Sequence, residues 1–297
     1  MATKDTFDTT RVRKETTRRL QHWLGDLGEH PGSHVALLAA SLLLITPIGL
    51  ALLLTTQTTA QVYNLAHVSP GGLDIMIANY REVLFEFGFL RLAANTLIIA
   101  GVTTVGGIVL SLLAAMAIVF YDFRGKQLAF FFILLTLMVP FIIRVVPLYE
   151  LVVTLGWHDT WLGVTVPFLA TATGVFLYRQ HFKSIPIELV ETCRLDGVGP
   201  VKFLRGVLVP MTKGMTSGLT VILFVSTWNA YFWPLIAINT RNRQMIQVGL
   251  RFLQSAQQGT LTQYNLMMTG AVISLIPMLV LLLALRKNLL TTMGLEL

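Results

Sequence analysis

The sequence has little charge and almost no cysteine, and each shortage excludes a class of protein. Charged residues make up 12% of the 297 residues, against about 25% in a typical soluble domain. The single cysteine, Cys193, excludes an internal disulfide framework and a metal site built from several thiolates. The pattern Gly-x-x-x-x-Gly-Lys-Ser/Thr is also missing from the sequence, so we expect this chain neither to bind nor to hydrolyse ATP itself.

Long apolar segments take the place of charge. Hydrophobic residues account for 54% of the chain, and the mean hydropathy is +0.69. A helix needs about 20 apolar residues to cross the hydrocarbon core of a bilayer. The segments that we predict to do so are Val35–Leu54, Leu92–Phe120, Leu128–Leu148, Trp161–Tyr178, Met215–Leu235 and Leu266–Leu285. The sequence therefore predicts an all-α polytopic membrane protein with six transmembrane helices.

Two of these predicted spans have features that bear on their packing. The third contains Pro140 and Pro147, and we expect it to be kinked or to end early. The second contains small residues, among them Gly107 and Ser111, that let it approach another helix closely.

The basic residues indicate the topology. If six spans alternate from a cytoplasmic N-terminus, 16 of the 22 Lys and Arg residues lie in cytoplasmic segments and five lie in external loops. This excess follows the positive-inside rule. We therefore predict a multi-pass protein of the cytoplasmic (inner) membrane with both termini cytoplasmic. The net charge of +7 is explained by topology, and we expect no nucleic-acid partner.

We divide the chain into a cytoplasmic N-terminal segment, residues 1–34, and a transmembrane domain, residues 35–297. Within the first segment, Leu20, Trp23, Leu24 and Leu27 recur at helical spacing. The segment is thus either a helix lying on the membrane surface or a disordered tail.

The loop between the fourth and fifth spans, at about residues 179–214, is too long for a simple turn. Ser184 can cap a helix, and Pro186 suits the first turn of that helix. Arg194 suits its last turn, and Gly197 can adopt the left-handed conformation that ends it. A second short helix is expected to follow and to stop before Pro210.

The first of these two helices carries apolar residues as well as acids. Leu189, Val190, Cys193 and Leu195 give it a partly apolar surface that suits docking on another protein. The sequence therefore predicts two short helices joined by a tight turn, with the first available to a partner.

The pattern Glu191-Thr-Cys-x-x-Asp196-Gly197, followed by Leu208-Val-Pro210, resembles the EAA loop of ABC-importer permeases. In that loop Glu-Ala-Ala is followed by three residues and a glycine. The two alanines are Thr192 and Cys193 here, and both are bulkier. We therefore expect the fit of the loop into a partner's cleft to differ slightly from that of the family.

Weaker matches extend the resemblance over most of the chain from Asn79 onward. They are Asn79-Tyr80, Arg91 with Asn95-Thr96, Pro140, Pro147-Leu148-Tyr149, Arg179-Gln180, Trp228-Asn229 and Ile276-Pro277. The chain is most similar to the carbohydrate-uptake branch, which includes the maltose and glycerol-3-phosphate permeases. The run Pro140-x-x-x-Arg144-x-x-Pro147 makes the glycerol-3-phosphate type the closer relative.

The resemblance implies three kinds of protein partner: a second permease subunit, a dimer of ATPase subunits and an extracytoplasmic solute-binding protein. ATP and Mg²⁺ would bind to the ATPase, and no cofactor is expected in this chain. The loop would form a coupling helix seated on the ATPase, through the residues Glu188, Glu191, Thr192, Cys193, Arg194, Asp196 and Gly197. Glu191 would contact the ATPase, and Asp196-Gly197 would shape the turn. The alternative is a capped loop helix with no partner.

Polar residues within or near the spans are candidates for a solute path. We assign Arg144, Asn95, Trp228 and Asn229 to it, because ionisable and polar groups at membrane depth usually face a cavity or a partner. Alternatives stay open at this stage: Arg144 reaches the interface or pairs with Glu150, and Asn229 makes a hydrogen bond between helices.

The predicted function is that of a transmembrane subunit of an ATP-driven importer for a sugar or a glycerol-3-phosphate-like solute. The rival is an ion-gradient-driven secondary transporter of a small polar solute. That rival predicts inverted repeats, or broken helices with buried acidic residues.

Overall fold

The structure is a computed structural model that describes residues 31–64, 70–255, 257–258 and 261–292. The chain divides into two compact units, residues 1–53 and residues 54–297. Within the first unit, the described residues belong to one apolar helix that begins at Pro31. The predicted N-terminal segment therefore lies outside the described residues, apart from residues 31–34, and so does the predicted surface helix.

Helices account for nearly all of the regular structure described. The α-helices are α1 (Pro31–Thr55), α2 (Thr59–Tyr63), α3 (Leu73–Arg81), α4 (Phe89–Phe120), α5 (Lys126–Met138), α6 (Phe141–Thr154), α7 (Trp161–Thr165), α8 (Ala172–Lys183), α9 (Ile187–Leu195), α10 (Pro200–Phe203), α11 (Val209–Met211), α12 (Lys213–Trp228), α13 (Phe232–Ala237), α14 (Ile246–Gln254) and α15 (Tyr264–Thr292). The π-helical turns are Glu82–Glu86 and Leu204–Leu208, and the 3-10 turns are Val166–Phe168 and Arg241–Arg243. One short antiparallel hairpin, β1 (Gln257–Gln258) with β2 (Leu261–Thr262), lies between α14 and α15.

Four of the six predicted spans are confirmed without a sharp bend, although the fourth consists of α7, a 3-10 turn and α8, with residues 169–171 outside any helix. By length and composition, Gly32–Thr55, Phe89–Phe120, Trp161–Lys183 and Tyr264–Asn288 can each cross a membrane. The longest, α4, contains 32 residues and measures about 48 Å at 1.5 Å per residue. A helix of this length exceeds the roughly 30 Å hydrocarbon core, so it extends beyond the core or tilts strongly within it.

The third predicted span is not one straight helix. The helix breaks at Val139 and Pro140, and the direction of α6 is bent by 105° from that of α5. Pro140 has no N–H to donate, and its ring forces Val139 out of the helical region to φ −83°, ψ 112°. The expected kink is therefore confirmed at Pro140, whereas Pro147 lies inside α6 without ending it.

The fifth predicted span, Met215–Leu235, is also interrupted. Helix α12 ends at Trp228, and the chain restarts as the six-residue α13. Pro234 cannot donate a hydrogen bond to the turn before it, so a continuous helix through this point is disfavoured. At its other end, α12 bends by 80° from the segment Pro200–Met211. The structure thus has six membrane-crossing units only if each bent pair is counted as one.

Helix α4 is the central element of residues 54–297, because it contributes to all three buried clusters. Phe89 and Leu92 pack in a cluster with Trp228, whereas Ile99 belongs to a second cluster with Trp233. The third, the loop-side cluster, consists of Leu112, Ala115, Met116, Tyr178, Phe182, Ile185, Val190, Phe203, Leu208 and Leu219. Helix α4 therefore connects the two ends of this unit.

Small residues bring α4 and α8 close together, as the sequence predicts. The Ser111 hydroxyl donates to the Thr171 carbonyl at 3.3 Å. A Cβ atom added at Gly174 would overlap Ser111, so only glycine fits there. This contact fixes α8, and with it the start of the long loop, relative to α4.

An aspartate joins the corner before α7 to the loop after α13. The Asp159 carboxylate accepts hydrogen bonds from the Asn239 and Thr240 amides at 2.9 and 2.8 Å and from the Thr240 hydroxyl at 2.6 Å. Arg243 donates to the Asp159 carbonyl at 2.6 Å and pairs with its carboxylate at 3.4 Å. The hydrogen bond from the Thr240 side chain is the main reason that the Asp159 pKa falls from 3.8 to about 2.

This depressed pKa predicts a loss of stability in acid. The ionised carboxylate stabilises the fold above pH 3.8, and the stabilisation is lost as the pH falls from 3.8 through about 2. Asp159→Asn should therefore lower the thermal unfolding temperature at pH 7, and the difference from the wild type should shrink at pH 3. Asparagine tolerates the φ of +57° at this position. An unfolding difference that is the same at both pH values would contradict the role of the charge.

Candidate coupling segment and solute path

The coupling segment, residues 179–214, contains the end of α8, then α9, α10 and α11. The two predicted helical regions are confirmed, but their caps differ from the prediction. The Ser184 hydroxyl donates to the His181 carbonyl at 2.7 Å, so Ser184 closes α8 and does not start α9. Pro186 occupies the capping position that precedes α9.

The turn after α9 has the geometry that its sequence predicts. Gly197 lies in the left-handed region with φ +66°. Its amide donates to the Arg194 carbonyl at 3.1 Å, and the Val198 amide donates to the Cys193 carbonyl at 2.9 Å. These two bonds are those of a Schellman motif, which ends a helix at a glycine. The turn is therefore fixed by backbone bonds.

The second helical region continues past Pro210, contrary to the prediction. A π-helical turn, Leu204–Leu208, joins α10 to α11, and α11 includes Pro210. A proline is tolerated in the first turn of a helical segment, where its missing N–H has the least effect. The π-helical turn Leu204–Leu208 puts Pro210 in the first turn of α11. The prediction did not allow for such a turn.

One face of α9 packs against the rest of the protein. Val190 is 4% exposed and lies in the loop-side cluster, and Cys193 packs against the same cluster. The Arg194 guanidinium donates to the carbonyl of Phe120, the last residue of α4, at 2.9 Å. The aromatic ring of Phe120 also meets that of Phe203 edge-on at 5.2 Å. Helix α9 is thereby attached to the end of α4.

The opposite face of α9 is exposed and combines acids with apolar side chains. Glu188, Glu191 and Asp196 are all exposed there. Ile187 and Leu195 lie outside the predicted spans and are nevertheless 60% and 89% exposed. The predicted apolar surface thus needs a correction. Val190 and Cys193 face inward, while Ile187, absent from the prediction, joins Leu195 outside.

Thr192 and Gly197 complete the predicted coupling set. The Thr192 hydroxyl donates to the Glu188 carbonyl at 2.8 Å within α9, and both residues are exposed. A methyl group added at Gly197 would meet no atom within 4 Å, so the backbone conformation alone selects glycine there. The role of the set in coupling stays a prediction.

The entrance to the segment is held by a cation–π contact. The Arg179 guanidinium lies 4.0 Å from the centre of the Phe130 ring, which connects α8 to α5. The Arg179 Nε atom is buried and has no hydrogen-bond partner among the residues that the structure describes. The contact with Phe130 offsets part of the free-energy cost of desolvating the Arg179 guanidinium, because an aromatic face attracts a cation.

Two of the residues assigned to a solute path are buried by helix packing. The Asn95 amide donates to the carbonyls of Asn242 and Gln244 at 2.9 and 3.0 Å, which attaches α4 to the loop before α14. Trp228 has no exposed surface, and its indole N–H donates to the Ser274 carbonyl at 3.0 Å. In this conformation both residues hold helices together, and their role in a path stays a prediction.

Asn229 lies in a polar group at the break between α12 and α13. Its side-chain oxygen accepts from the Gln247 amide at 3.1 Å. Arg251, one helical turn beyond Gln247 on α14, donates to the Tyr231 hydroxyl at 3.1 Å. The sequence reading missed Tyr231, Gln247 and Arg251. The i, i+4 spacing of Gln247 and Arg251 between the apolar residues of α14 was the available signal.

Arg144 lies on α6, four residues after the break at Pro140, and its side chain is exposed. Among the described residues it makes no ion pair with Glu150. Residues six apart point to different sides of a helix, which explains why this pair does not form. The exposed guanidinium is available to a partner subunit, a lipid or a solute.

Comparison with known proteins identifies what the chain is similar to. Residues 107–293 match the family described as "Binding-protein-dependent transport system inner membrane component". The sn-glycerol-3-phosphate transport system permease protein UgpE of Brucella abortus (strain 2308) is 35% identical over 254 residues, covering 83% of this chain and 89% of the relative. The protein of the same name from Rhizobium meliloti (strain 1021) is 42% identical over 187 residues, covering 63% and 66%.

Two solved structures share the fold. A bacterial ABC transporter involved in the import of the acidic polysaccharide alginate superimposes with a TM-score of 0.75 at 23% identity, covering 91% of this chain and 97% of that one. A bacterial alginate ABC transporter in complex with an alginate pentasaccharide-bound periplasmic protein gives 0.59 at 14% identity, covering 92% and 98%. At these identities the likeness concerns the fold alone.

The Schellman turn generates a prediction that uses the single cysteine as a reporter. Gly197→Ala places a side chain in the left-handed region, which costs about 1–2 kcal/mol. Local opening of the turn should therefore expose Cys193 more often, and its alkylation in the purified complex should accelerate by about fivefold or more.

Gly199→Ala is the matched control for this experiment. Gly199 has φ −67° and open space around its Cα, so alanine fits there without strain. Equal alkylation rates for Gly197→Ala, Gly199→Ala and the wild type would show that the turn does not depend on the glycine.

Proposed function

Because this chain belongs to the family of binding-protein-dependent transport system inner membrane components, we propose that it imports a sugar or a glycerol-3-phosphate-like solute as the transmembrane subunit of an ATP-driven transporter. The similarity to glycerol-3-phosphate permeases over 83% of the chain supports this choice of solute. The work of transport comes from ATP hydrolysis on a separate subunit.

One observation carries the proposal: α9 has one face fixed to α4 and another face open to a partner. The fixed face carries Val190, which is buried in the loop-side cluster, and Arg194, which donates a hydrogen bond to the Phe120 carbonyl. The open face presents Glu188 and Glu191 beside the exposed side chain of Leu195. An apolar side chain that a partner can bury, surrounded by charged groups, is typical of a protein interface. We assign this face to the ATPase subunit.

The loop-side cluster supplies the route by which movement of α9 reaches the membrane. Its side chains come from α4, α8, α9, α10 and α12, as well as from the link before α9 and the turn before α11. Close-packed side chains transmit displacement because they have no free volume to absorb it. Closure of a pair of ATPase subunits would therefore move these helices together and change the access of the solute path.

The orientation follows from the basic residues. The coupling segment holds Arg179, Lys183, Arg194, Lys202, Arg205 and Lys213, and the positive-inside rule places such a segment in the cytoplasm. Both termini are then cytoplasmic, and the loops around Asp159 and α14 face outward. This arrangement puts α9 where ATP is available and the opposite side where a solute-binding protein docks.

The solute path is assigned to the breaks in the spans. A break frees polar backbone groups and needs a water-filled or protein-lined surrounding. Asn229, Tyr231, Gln247 and Arg251 lie at the break after α12, and Arg144 lies just after the break at Pro140. A second permease subunit would complete the wall of the path, and the two arginines suit an anionic solute.

Ion-gradient coupling is less well supported than ATP coupling. Broken helices are present, as that alternative requires. However, no Asp or Glu is buried in the part of the chain that the structure describes. A proton- or sodium-coupled transporter ordinarily keeps such an acid near the bilayer midplane.

Changing Glu191 tests the coupling face directly. In liposomes that contain the complete transporter, Glu191→Ala should lower solute-stimulated ATP hydrolysis and uptake by roughly tenfold, the effect expected for the loss of one hydrogen bond to a charged group. The control is Glu150→Ala, which removes an exposed glutamate on α6. Full activity of the Glu191 variant in an intact complex would refute the assignment.

Changing Arg144 tests the solute class. Arg144→Gln should weaken uptake of an anionic solute by about tenfold, because a charge-assisted contact is lost, and should leave uptake of a neutral sugar nearly unchanged. Arg144→Lys keeps the charge and should retain most of the uptake. If both solutes are affected equally, Arg144 acts on the helix and does not contact the solute.

A further inference from the structure

A cleft with two arginines at its mouth opens on the surface of the second unit, between α4, α7 and the loop that precedes α14. Its volume is about 630 Å³. It is lined by Arg91, Ile98, Ile99, Val102, Thr160, Trp161, Leu162, Thr165, Asn242 and Arg243. The proposed transport function uses none of these residues as solute or ATPase contacts.

The two cations of the cleft differ in how they are held. Arg243 is positioned by Asp159, through the bonds to its carbonyl and carboxylate, while about half of its side chain stays exposed. Arg91 is exposed, and its guanidinium makes no hydrogen bond or ion pair with another residue in the described ranges. None of the residues that line the cleft is an Asp or a Glu, and the one carboxylate paired with an arginine of the cleft within the described ranges is that of Asp159, so the mouth keeps a net positive charge.

Below the arginines the wall is apolar. Ile98 and Val102 follow Arg91 by seven and eleven residues on α4, and this spacing places all three on one helical face. Val102 lies about 16 Å from Arg91 along the axis, roughly half of the 30 Å hydrocarbon core. The side chains of Ile98, Val102 and Leu162 are each about half exposed. The cleft thus descends from a charged mouth along an apolar wall.

An aromatic residue sits at the boundary between these two parts. Trp161 is 38% exposed, and its indole N–H donates to the Arg243 carbonyl at 3.3 Å. Tryptophan with its polar edge bonded and its ring exposed is typical of the headgroup region of a bilayer. This places the arginines at headgroup level and Ile98 and Val102 within one leaflet.

We infer that this cleft binds one anionic phospholipid, with its phosphate between Arg91 and Arg243 and an acyl chain along Ile98 and Val102. A small polar solute would leave the apolar wall uncovered. A water-soluble protein docked at the mouth would not cover the apolar wall at membrane depth. A phospholipid has a charged end and an apolar end at this separation. Under the proposed topology, the lipid belongs to the outer leaflet.

Native mass spectrometry of the complete complex, copurified through a tag on this chain, tests the inference. Phosphatidylglycerol and phosphatidylethanolamine are titrated separately, and bound lipid is counted. We expect phosphatidylglycerol to bind more tightly, and Arg91→Gln to weaken its binding by about fivefold, the effect of one arginine near an anionic headgroup. Arg91→Lys should retain most of the binding.

Two further variants separate the cleft from general lipid contact. Arg81→Gln removes an exposed arginine outside the cleft, and should bind lipid like the wild type. Val102→Trp fills the apolar wall while both arginines are kept, and should also weaken phosphatidylglycerol binding. This second variant decides the question if Arg91→Gln fails to assemble.

The inference is overturned if Arg91→Gln and Arg81→Gln bind equally well, or if the two lipids bind equally. It is also overturned if inorganic phosphate or sn-glycerol-3-phosphate displaces the lipid while Val102→Trp has no effect, because the cleft would then bind a phosphate group alone. Since lipid binding is measured without transport, the result does not depend on the proposed solute.

Discussion

The attachment of α9 to the end of α4 is the contact on which the rest of this account depends. It consists of a hydrogen bond from Arg194 to the carbonyl of Phe120 and of the burial of Val190 in the loop-side cluster. The carbonyls at the end of a helix have no partner within the helix, and a cationic side chain satisfies one of them here. A force applied to α9 therefore acts at the end of the longest helix.

Under the proposed function, the same helix would let one subunit combine force transmission with an adaptable path. Helix α4 takes part in all three buried clusters and stays continuous, whereas the predicted third and fifth spans are broken at Pro140 and after Trp228. The polar side chains that suit a solute lie near these breaks. The cleft that we assign to a lipid uses another part of α4, between Arg91 and Val102. The continuous, closely packed helix and the polar side chains at the breaks thus belong to different segments of the chain.

Sequence reasoning predicted the features that depend on local chemistry. Long apolar runs predicted α1, α4 and α15, and a glycine after Asp196 predicted the left-handed turn at Gly197. It failed where the outcome depends on distant partners. Ser184 bonds backward to His181, Val190 and Cys193 turn inward, and Asn95 bonds to a loop about 150 residues away. Periodicity within one helix cannot decide which of two faces meets a core that other segments build.

The claim that force enters through the outer face of α9 is tested most directly by a photo-crosslinking side chain at Leu195, which is 89% exposed. The measurement is the identity of the protein that becomes linked to this chain in the complete, transporting complex. The account predicts a covalent adduct with the ATP-hydrolysing subunit. An intact complex that hydrolyses ATP and imports solute, but forms no such adduct from Leu195, would contradict it.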